Sequence, residues 1–325
     1  MGDTAGRGPV VSVGIVTWNS EQDLHACLEG LAAQAYPALE LVVVDNGSAD
    51  GSVELVRRRF PKATVVLNPA NEGHCRAQNQ AIRQAHGDFY LGLNPDVRLL
   101  PGYIETMVGA LSRHAECGSA LGKIWQAVEQ TPRLLDSTGL FIDRRRHQYL
   151  RGHRQPDRGQ FDQAGEVFGV DGAGAFYRRE MLEDVAVGGE YFDEQFFAYM
   201  DDVDLAWRAR LMGWSAWYEP AAQAFHTRRF KPGRRAPMER DIRRIAVKNR
   251  YLTILKNEGV EEWRRDWWRV RLYDLQIWAY ILLLEQSSVG ALSLYRRQRE
   301  RALAWRTEIW RRVRASPEER TSWFG

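Results

Sequence analysis

Cysteine is scarce in this 325-residue chain: Cys27, Cys75 and Cys117 are odd in number and far apart. That spacing excludes a disulfide framework and a cysteine-based zinc site, and it points to a reducing compartment. The opening residues, M-G-D-T-A-G-R-G-P, contain no apolar signal region, so a cytoplasmic location is expected. No G-x-G-x-x-G follows the first apolar run, which disfavours a nicotinamide cofactor. No G-x-x-x-x-G-K-[ST] occurs, which removes a P-loop nucleotidase. The most apolar stretch, Leu272–Tyr295, is interrupted by Asp274, Gln276, Glu285 and Gln286, so no transmembrane span is expected. Net charge is only +3. It is uneven, however: residues 1–239 carry 26 Lys+Arg against 31 Asp+Glu, and residues 240–325 carry 19 against 11. The basic tail implies an anionic partner. No nucleic-acid motif accompanies the charge, so a membrane surface or a protein contact is expected instead.

What is present is alternation. Val10–Val16 is a β-branched run followed by Thr17-Trp18-Asn19-Ser20, and Glu21–Ala35 has Leu24, Leu28 and Leu31 at helical spacing. Leu41–Val44, Thr64–Leu67 and Phe89–Leu93 read as further strands, with helices predicted over Val53–Phe60 and His74–Ala85. Strands alternating with helices imply a mostly parallel α/β sheet covered on both faces. In such sheets ligands sit at the carboxyl ends of strands. The polar clusters after strands one, two and four are therefore the candidate site. Asp45-Asn46-Gly47 also reads as a plain turn with a left-handed glycine, and Asn94-Pro95-Asp96 as a loop starter.

Y-M-D-D-V-D-L-A-W-R (199–208) packs Asp201, Asp202 and Asp204 into four residues. Three carboxylates so close repel one another unless solvent, a cation or a charged ligand compensates. If 200–211 is helical, Asp201 and Asp204 share neighbouring faces and Asp202 points elsewhere, so one carboxylate can hold structure while another faces a substrate. A helix N-terminus that favours acids through its dipole is the alternative.

The motifs V-S-V-G-I-V-T-W-N-S, L-V-V-V-D-N-G-S-A-D-G-S, N-E-G-H-C-R-A-Q-N-Q-A-I and G-D-F-Y-L-G-L-N-P-D-V, in that order, resemble glycosyltransferase family 2. D-G-A-G-A-F-Y-R-R-E, F-D-E-Q-F-F-A-Y-M-D-D-V-D-L-A-W-R-A-R-L-M-G-W and K-N-R-Y-L-T-I-L-K-N-E continue the pattern, and the chain looks most like the bacterial rhamnosyltransferase-like branch. The resemblance covers roughly residues 10–258.

It implies a GT-A fold, a Rossmann-like nucleotide-binding mixed sheet flanked by helices, with a C-terminal helical extension. The catalytic domain is expected over 1–239, with a nucleotide-sugar half at about 10–100 and an acceptor half at about 101–239; a helical appendage follows over 240–325. It also implies transfer of a sugar from a nucleotide diphosphate, with inversion, to a glycan or lipid-linked acceptor. By similarity Thr17 and Asn19 line the base and ribose pocket, Asp45 accepts from the base or ribose, and Arg76 and Asn79 face the nucleotide. A surface helical arginine is the other reading of Arg76. Asp96 matches the metal-binding carboxylate, where a divalent Mn2+ or Mg2+ would stabilise the leaving diphosphate. Asn94 occupies the usual first acidic position of that motif and brings an amide oxygen in place of a charge. His226 falls where relatives place a histidine ligand, and Arg228 and Arg229, which directly follow it, are further candidates to touch phosphate. Asp202 aligns with the general base, Asp201 with a supporting or acceptor contact, and Asp204 with helix stabilisation. Gly172, Ala173 and Gly174 resemble the loop that lies against donor sugar and acceptor, where small residues permit close backbone approach.

From Glu239 on, the pattern is helical, and seven of the 12 tryptophans fall between Trp263 and Trp323. Such a tail fits a membrane interface, as a peripheral contact at the inner face, and it equally fits packing on the catalytic domain or on a second copy. The expectation is an inverting, metal-dependent glycosyltransferase, with L-rhamnose from dTDP-rhamnose the first donor and a UDP-hexose or GDP-sugar the alternative. A non-catalytic sugar-nucleotide or glycan-binding scaffold is the reading from another class. A sugar nucleotidyltransferase is disfavoured, because Thr17–Ser20 lacks a basic, glycine-rich triphosphate loop.

Overall fold

The computed structural model describes residues 8–127, 131–228 and 240–325. The β-branched run of the N-terminus forms β1 (Val11–Thr17), buried along its whole length. Helix α1 (Glu21–Ala32) turns Leu24, Leu28 and Leu31 inward at helical spacing. Burying each of those leucines contributes roughly 1.5–3 kcal/mol. There follow β2 (Leu39–Asp45), α2 (Ser52–Arg59), β3 (Thr64–Leu67), α3 (His74–Gln84), β4 (Phe89–Leu93), β5 (Val97–Leu99), α4 (Tyr103–Arg113) and β6 (Cys117–Gln126). Short strands β7 (Leu135–Ser137), β8 (Leu140–Ile142), β9 (Gln148–Leu150) and β10 (Gly165–Val167) lead to β11 (Gly174–Arg178), α5 (Arg179–Val185), α6 (Asp201–Leu211) and β12 (Ser215–His226). The chain ends in α7 (Arg240–Asn257), α8 (Val260–Leu284), α9 (Ala291–Trp310) and α10 (Pro317–Ser322).

The main sheet runs β10-β12-β6-β11-β4-β1-β2-β3. Strands β3, β2, β1 and β4 are parallel, as the alternation of strands and helices requires. β11 then inserts antiparallel between β4 and β6, so the sheet is mixed. This arrangement sets the carboxyl ends of β1, β2 and β4 along one edge. β5 pairs with the end of β12 and matches Val97 with His226, which brings two loops 129 residues apart side by side.

The C-terminal helices share the core. Leu252 of α7, Trp305 and Ile309 of α9, and Phe324 belong to the same buried apolar cluster as β1, β4 and β6. Lys256, fully buried, pairs with Asp193 at 2.7 Å and with Asp204 at 3.0 Å. Arg146, in the turn between β8 and β9, is held by Glu258 at 2.6 Å and by Asp266 at 3.0 Å. Removing one partner from such buried pairs costs about 3–5 kcal/mol, since the other charge is left unanswered. The apolar stretch read as Leu272–Tyr295 is not one helix. Glu285 ends α8, a 3-10 turn spans Gln286–Gly290, and α9 begins at Ala291. Glu239, where the helical pattern begins in the sequence, lies outside the described residues.

Candidate active site

Three loops converge at the carboxyl ends of the parallel strands. At the end of β1, Thr17 is fully buried and its Oγ1 has no partner. At the end of β2, Asp45 accepts from the backbone N–H groups of Gly47 and Ser48 through Oδ2, at 3.1 and 2.9 Å. Its Oδ1 is buried without a partner. Buried polar atoms are nearly always satisfied, so an orphaned hydroxyl and an orphaned carboxylate oxygen on adjacent, paired strands mark a place for a polar ligand. Asn19 adopts a left-handed φ of 48° and stitches the two loops together. Its N–H donates to Ser48 Oγ and its Oδ1 accepts from the Ala49 N–H. The structure therefore uses the Asn19 amide to shape the pocket.

Helix α3 begins beside these loops. Asn71 accepts from the Gly73 N–H, and Asn46 donates to the Gly73 carbonyl. Gly73 has φ 92°, and a Cβ there would meet the Phe197 ring at 2.6 Å, so this position needs glycine. Arg76 pairs with Glu72 at 2.9 Å and is 51% exposed, which leaves its head group on the surface of the helix. Asn79 requires a correction. It is fully buried, its oxygen accepts from the N–H groups of Tyr191 and Phe192, and its nitrogen donates to the Phe192 carbonyl and to Glu194. All its hydrogen-bonding capacity is taken by the 191–194 segment, so it positions that segment and has nothing left for a nucleotide.

At the end of β4, the Asn94 N–H donates to the Ala173 carbonyl at 3.0 Å, with the side-chain amide partly exposed. This joins the N-P-D loop to the 171–174 loop. From Asp96 a continuous chain of charged groups crosses the site. Asp96 Oδ1 lies 3.2 Å from His226 Nε2, and His226 Nδ1 lies 2.8 Å from Asp136. Arg228 donates to Asp136 at 2.9 Å and to Asp171 at 3.0 Å. Asp171 in turn accepts from the Ala173 N–H at 2.9 Å. Burial works against a charged His226, but hydrogen bonds to Asp136 and Asp96 outweigh it and push its pKa up to about 9. Burial also opposes charge on Asp136, yet His226 and Arg228 hold it well below the usual carboxylate range. Arg229 lies outside the described residues.

Among the described residues no group of three or more His, Cys, Asp or Glu side chains is arranged to hold a metal. Asp96 and His226 nonetheless fit one. An oxygen and a ring nitrogen converge, and a second carboxylate, Asp136, fixes the ring from behind in the manner of outer-shell partners of metal-bound histidines. Two protein ligands suit a hard divalent ion that draws its other oxygens from phosphates and water. A cleft of about 680 Å³ opens beside Asp96, lined by Gln22, Asp23, Arg98, Arg133 and Phe225 among others.

The acidic triplet begins α6. The three residues Phe197, Tyr199 and Met200 before it all have left-handed φ, between 64° and 67°. Non-glycine residues there are strained and persist only when their surroundings hold them. Here the support comes from α7. Asn249, fully buried, donates to the carbonyls of Phe196, Ala198 and Tyr199 at 3.0, 2.9 and 2.7 Å. Lys248 donates to the Gln195 carbonyl, and the Cys75 N–H donates to the Phe197 carbonyl at 3.1 Å.

The three carboxylates then divide. Asp204 is buried and serves Arg208, Lys256 and Asn257 at 3.0, 3.0 and 2.8 Å, so it is structural. Asp201 lies 3.9 Å from His74, and burial raises its pKa. Asp202 accepts from the Val203 N–H at 2.8 Å and from the Gly172 backbone. Burial first, then the negative charges of Asp201 and Asp171, raise its pKa to about 8. A Cβ placed on Gly172 would lie 3.9 Å from the Asp202 Cβ, so the small-residue loop rests directly on this carboxylate. Ala173 is buried behind it, and the Gly174 carbonyl accepts from Tyr103.

Strand pairing and the contacts of the 171–174 loop thus connect Thr17, Asn19, Asp45, Asn94, Asp96, Gly172, Asp202 and His226, with Asp201 next to Asp202 on α6. Sequence reasoning missed Asp136, the bridge between His226 and Arg228. Its only signal is D-S-T-G (136–139), a polar cluster ahead of the β8 strand. It also missed Asn249, although K-N recurs at 248–249 and 256–257 on α7.

Comparison with known proteins follows the same lines. An N-acetylglucosaminyl-diphospho-decaprenol L-rhamnosyltransferase of Mycobacterium tuberculosis is 28% identical over 249 residues, 69% of this chain and 78% of the relative. The structure of S. aureus TarS 1-349 in complex with UDP-GlcNAc superposes with a TM-score of 0.58 at 19% identity, covering 91% of this chain and 83% of that one. The mannosyltransferase PcManGT of Pyrobaculum calidifontis, in complex with GDP-Man and Mn2+, superposes with a TM-score of 0.52 at 20% identity, covering 98% and 85%. The fold is therefore GT-A, a mixed sheet flanked by helices. Residues 12–186, more than half of the chain, match the family model described as Glycosyl transferase family 2, and the chain belongs to that family of nucleotide-sugar-dependent glycosyltransferases.

Proposed function

We propose that the protein is an inverting, divalent-metal-dependent glycosyltransferase that moves L-rhamnose from dTDP-rhamnose to a hydroxyl of a lipid-linked glycan, with Asp202 as the general base. The observation that carries this reading is Asp202 itself. It is a carboxylate raised to about 8 by burial and by Asp201 and Asp171, seated against the Gly172 loop and joined through Asp171 to the charged chain that ends at Asp96. A base with a pKa near the working pH takes a proton efficiently without being permanently charged.

Each end of the site has its own task. Thr17 Oγ1 and Asp45 Oδ1 hold the polar edge of base and ribose. The acceptor hydroxyl meets Asp202, which removes its proton as the oxygen attacks the anomeric carbon from the face opposite the leaving diphosphate. Asp201, beside it, contacts the acceptor or keeps Asp202 in place. Arg228 holds Asp171, and with it the loop that bears on donor sugar. Asp96 and His226 would hold the Mn2+ or Mg2+, which when bound supplies positive charge to the departing diphosphate.

Rhamnose and the lipid-linked acceptor rest on the activity of the mycobacterial relative, whose identity of 28% supports a substrate class. The UDP- and GDP-bound neighbours favour the alternative donors, a UDP-hexose or a GDP-sugar. The test is nucleoside diphosphate release from dTDP-rhamnose, UDP-hexoses and GDP-mannose, with and without Mn2+ or Mg2+. Metal-dependent release from dTDP-rhamnose supports the reading. Release from another donor alone replaces the sugar. Silence together with no nucleotide-induced thermal shift favours a non-catalytic scaffold.

A further inference from the structure

The longest of the described helices turns an apolar face to solvent. Along α8, Trp268, Leu272, Leu275 and Leu282 follow one another at spacings of four, three and seven residues and Leu283 adjoins the last, so the five share one side of the helix. They are exposed, Leu275 at 66% and Leu283 at 77%. The stripe covers the 16 residues from Trp268 to Leu283, roughly 22 Å at the helical rise. It continues through Val289 in the 3-10 turn to Leu292 on α9, both also exposed. Scattered exposed leucines need no explanation, but a contiguous stripe of this length does. No described helix is long and apolar enough to cross a membrane.

The charges around the stripe select the occupant. Exposed Arg264 lies one turn ahead of it on α8, exposed Arg271 lies within it, and exposed Arg296, Arg297 and Arg299 follow on α9. Between Trp263 and Leu284 there are two acidic residues, and both turn inward. Asp266 has a fully buried side chain paired with Arg144 and Arg146, and Asp274 is paired with Arg250. The outward face of α8 over this span is therefore apolar and cationic, with no exposed carboxylate. A second copy docking through the same face would set arginine against arginine with nothing to answer them. An anionic bilayer surface answers both features, with acyl chains for the leucines and tryptophan and headgroup phosphates for the arginines.

We infer that α8 lies in the interface of an anionic lipid membrane through its Trp268–Leu283 stripe, and so docks the enzyme on a lipid surface. Neither the inward face of α8, which carries Asp266 and Val270, nor the active-site loops take part. Vesicle binding needs no donor and no turnover, so it stands or falls separately from sugar transfer.

The experiment is co-sedimentation of the full chain with vesicles of phosphatidylcholine alone or mixed with phosphatidylglycerol, at low and high salt. Light scattering of the protein without lipid accompanies it. The wild type is expected to sediment with phosphatidylglycerol vesicles and to be released by salt. Leu275→Glu with Leu283→Glu should weaken binding on the order of tenfold or more while leaving the melting temperature and donor turnover in solution unchanged. Brominated acyl chains should quench the tryptophan fluorescence of the wild type, a readout that needs no variant. The inference is overturned if the wild type stays in the supernatant, if the double variant binds as well as the wild type, or if the protein is a dimer that the double variant dissociates.

Discussion

The side-chain amide of Asn249 donates to the Tyr199 carbonyl at 2.7 Å, two residues ahead of Asp201 and three ahead of Asp202. A helix assigned from sequence to an appendage thereby carries the strut of the acidic loop. Without it, the Phe196, Ala198 and Tyr199 carbonyls lose a shared donor, and three left-handed residues lose their restraint.

Asn249→Ala is accordingly expected to lower kcat about 10- to 100-fold, because small displacements of a catalytic group are costly. Affinity for the donor nucleotide should not change, since Thr17 and Asp45 lie on other loops. Steady-state kinetics together with calorimetric titration of nucleoside diphosphate separates the two. Equal losses in both would point to general unfolding.

The pKa of Asp202, raised from 3.8 to about 8, has a definite sign for stability. The folded state holds the proton more tightly than the unfolded state. Asp202 therefore favours the fold below about pH 4, and that contribution is lost as pH rises toward 8. Asp202→Asn removes the titration, so the variant should melt higher than the wild type at pH 8–9 and the gap should narrow near pH 4. In the wild type, kcat/KM should rise with pH as Asp202 ionises. Thermal melts and rate profiles across pH 4–9 check both.

Asp136 holds the far side of the His226 ring. Asp136→Asn should weaken divalent-metal binding about 10- to 100-fold, the usual cost of removing an outer-shell partner. Because His226, raised to about 9, must give up a proton to bind through Nε2, metal affinity should also increase with pH. Titration with Mn2+ followed by magnetic resonance at several pH values reads each effect directly.

Thr17 Oγ1 is buried with nothing to bond. Thr17→Val is thus expected to leave the stability of the empty protein unchanged or slightly higher, while nucleotide affinity falls by about 0.5–1.5 kcal/mol. Paired melts and nucleotide titrations show whether the hydroxyl serves the fold or the ligand.

How legible the molecule was in its sequence follows the range of its contacts. The strands β1 to β4 and helices α1 to α3 were readable because apolar periodicity and turn residues are local, and their ends fall within a few residues of expectation. Asp45, Asp96, Asp202 and His226 were marked by motifs at strand and helix ends. Asn79 was misread, since its position on α3 does not show that Phe192, 113 residues away, takes its amide. Asp136 sits on a three-residue strand and meets His226 across 90 residues, and Asn249 meets Tyr199 across 50. Neither pairing leaves a local pattern. The buried ion pairs that join Glu258 and α8 to the β8–β9 turn were equally invisible, because charged residues read as surface until their partners are placed.

The most direct measurement compares wild type with Asp202→Asn in a transfer assay using dTDP-rhamnose, a divalent metal and a glycan acceptor, alongside calorimetric titration of the donor. The variant is expected to lose transfer while binding the donor as the wild type does. Donor binding lost with residual transfer unchanged would contradict it, and would put the base on another residue.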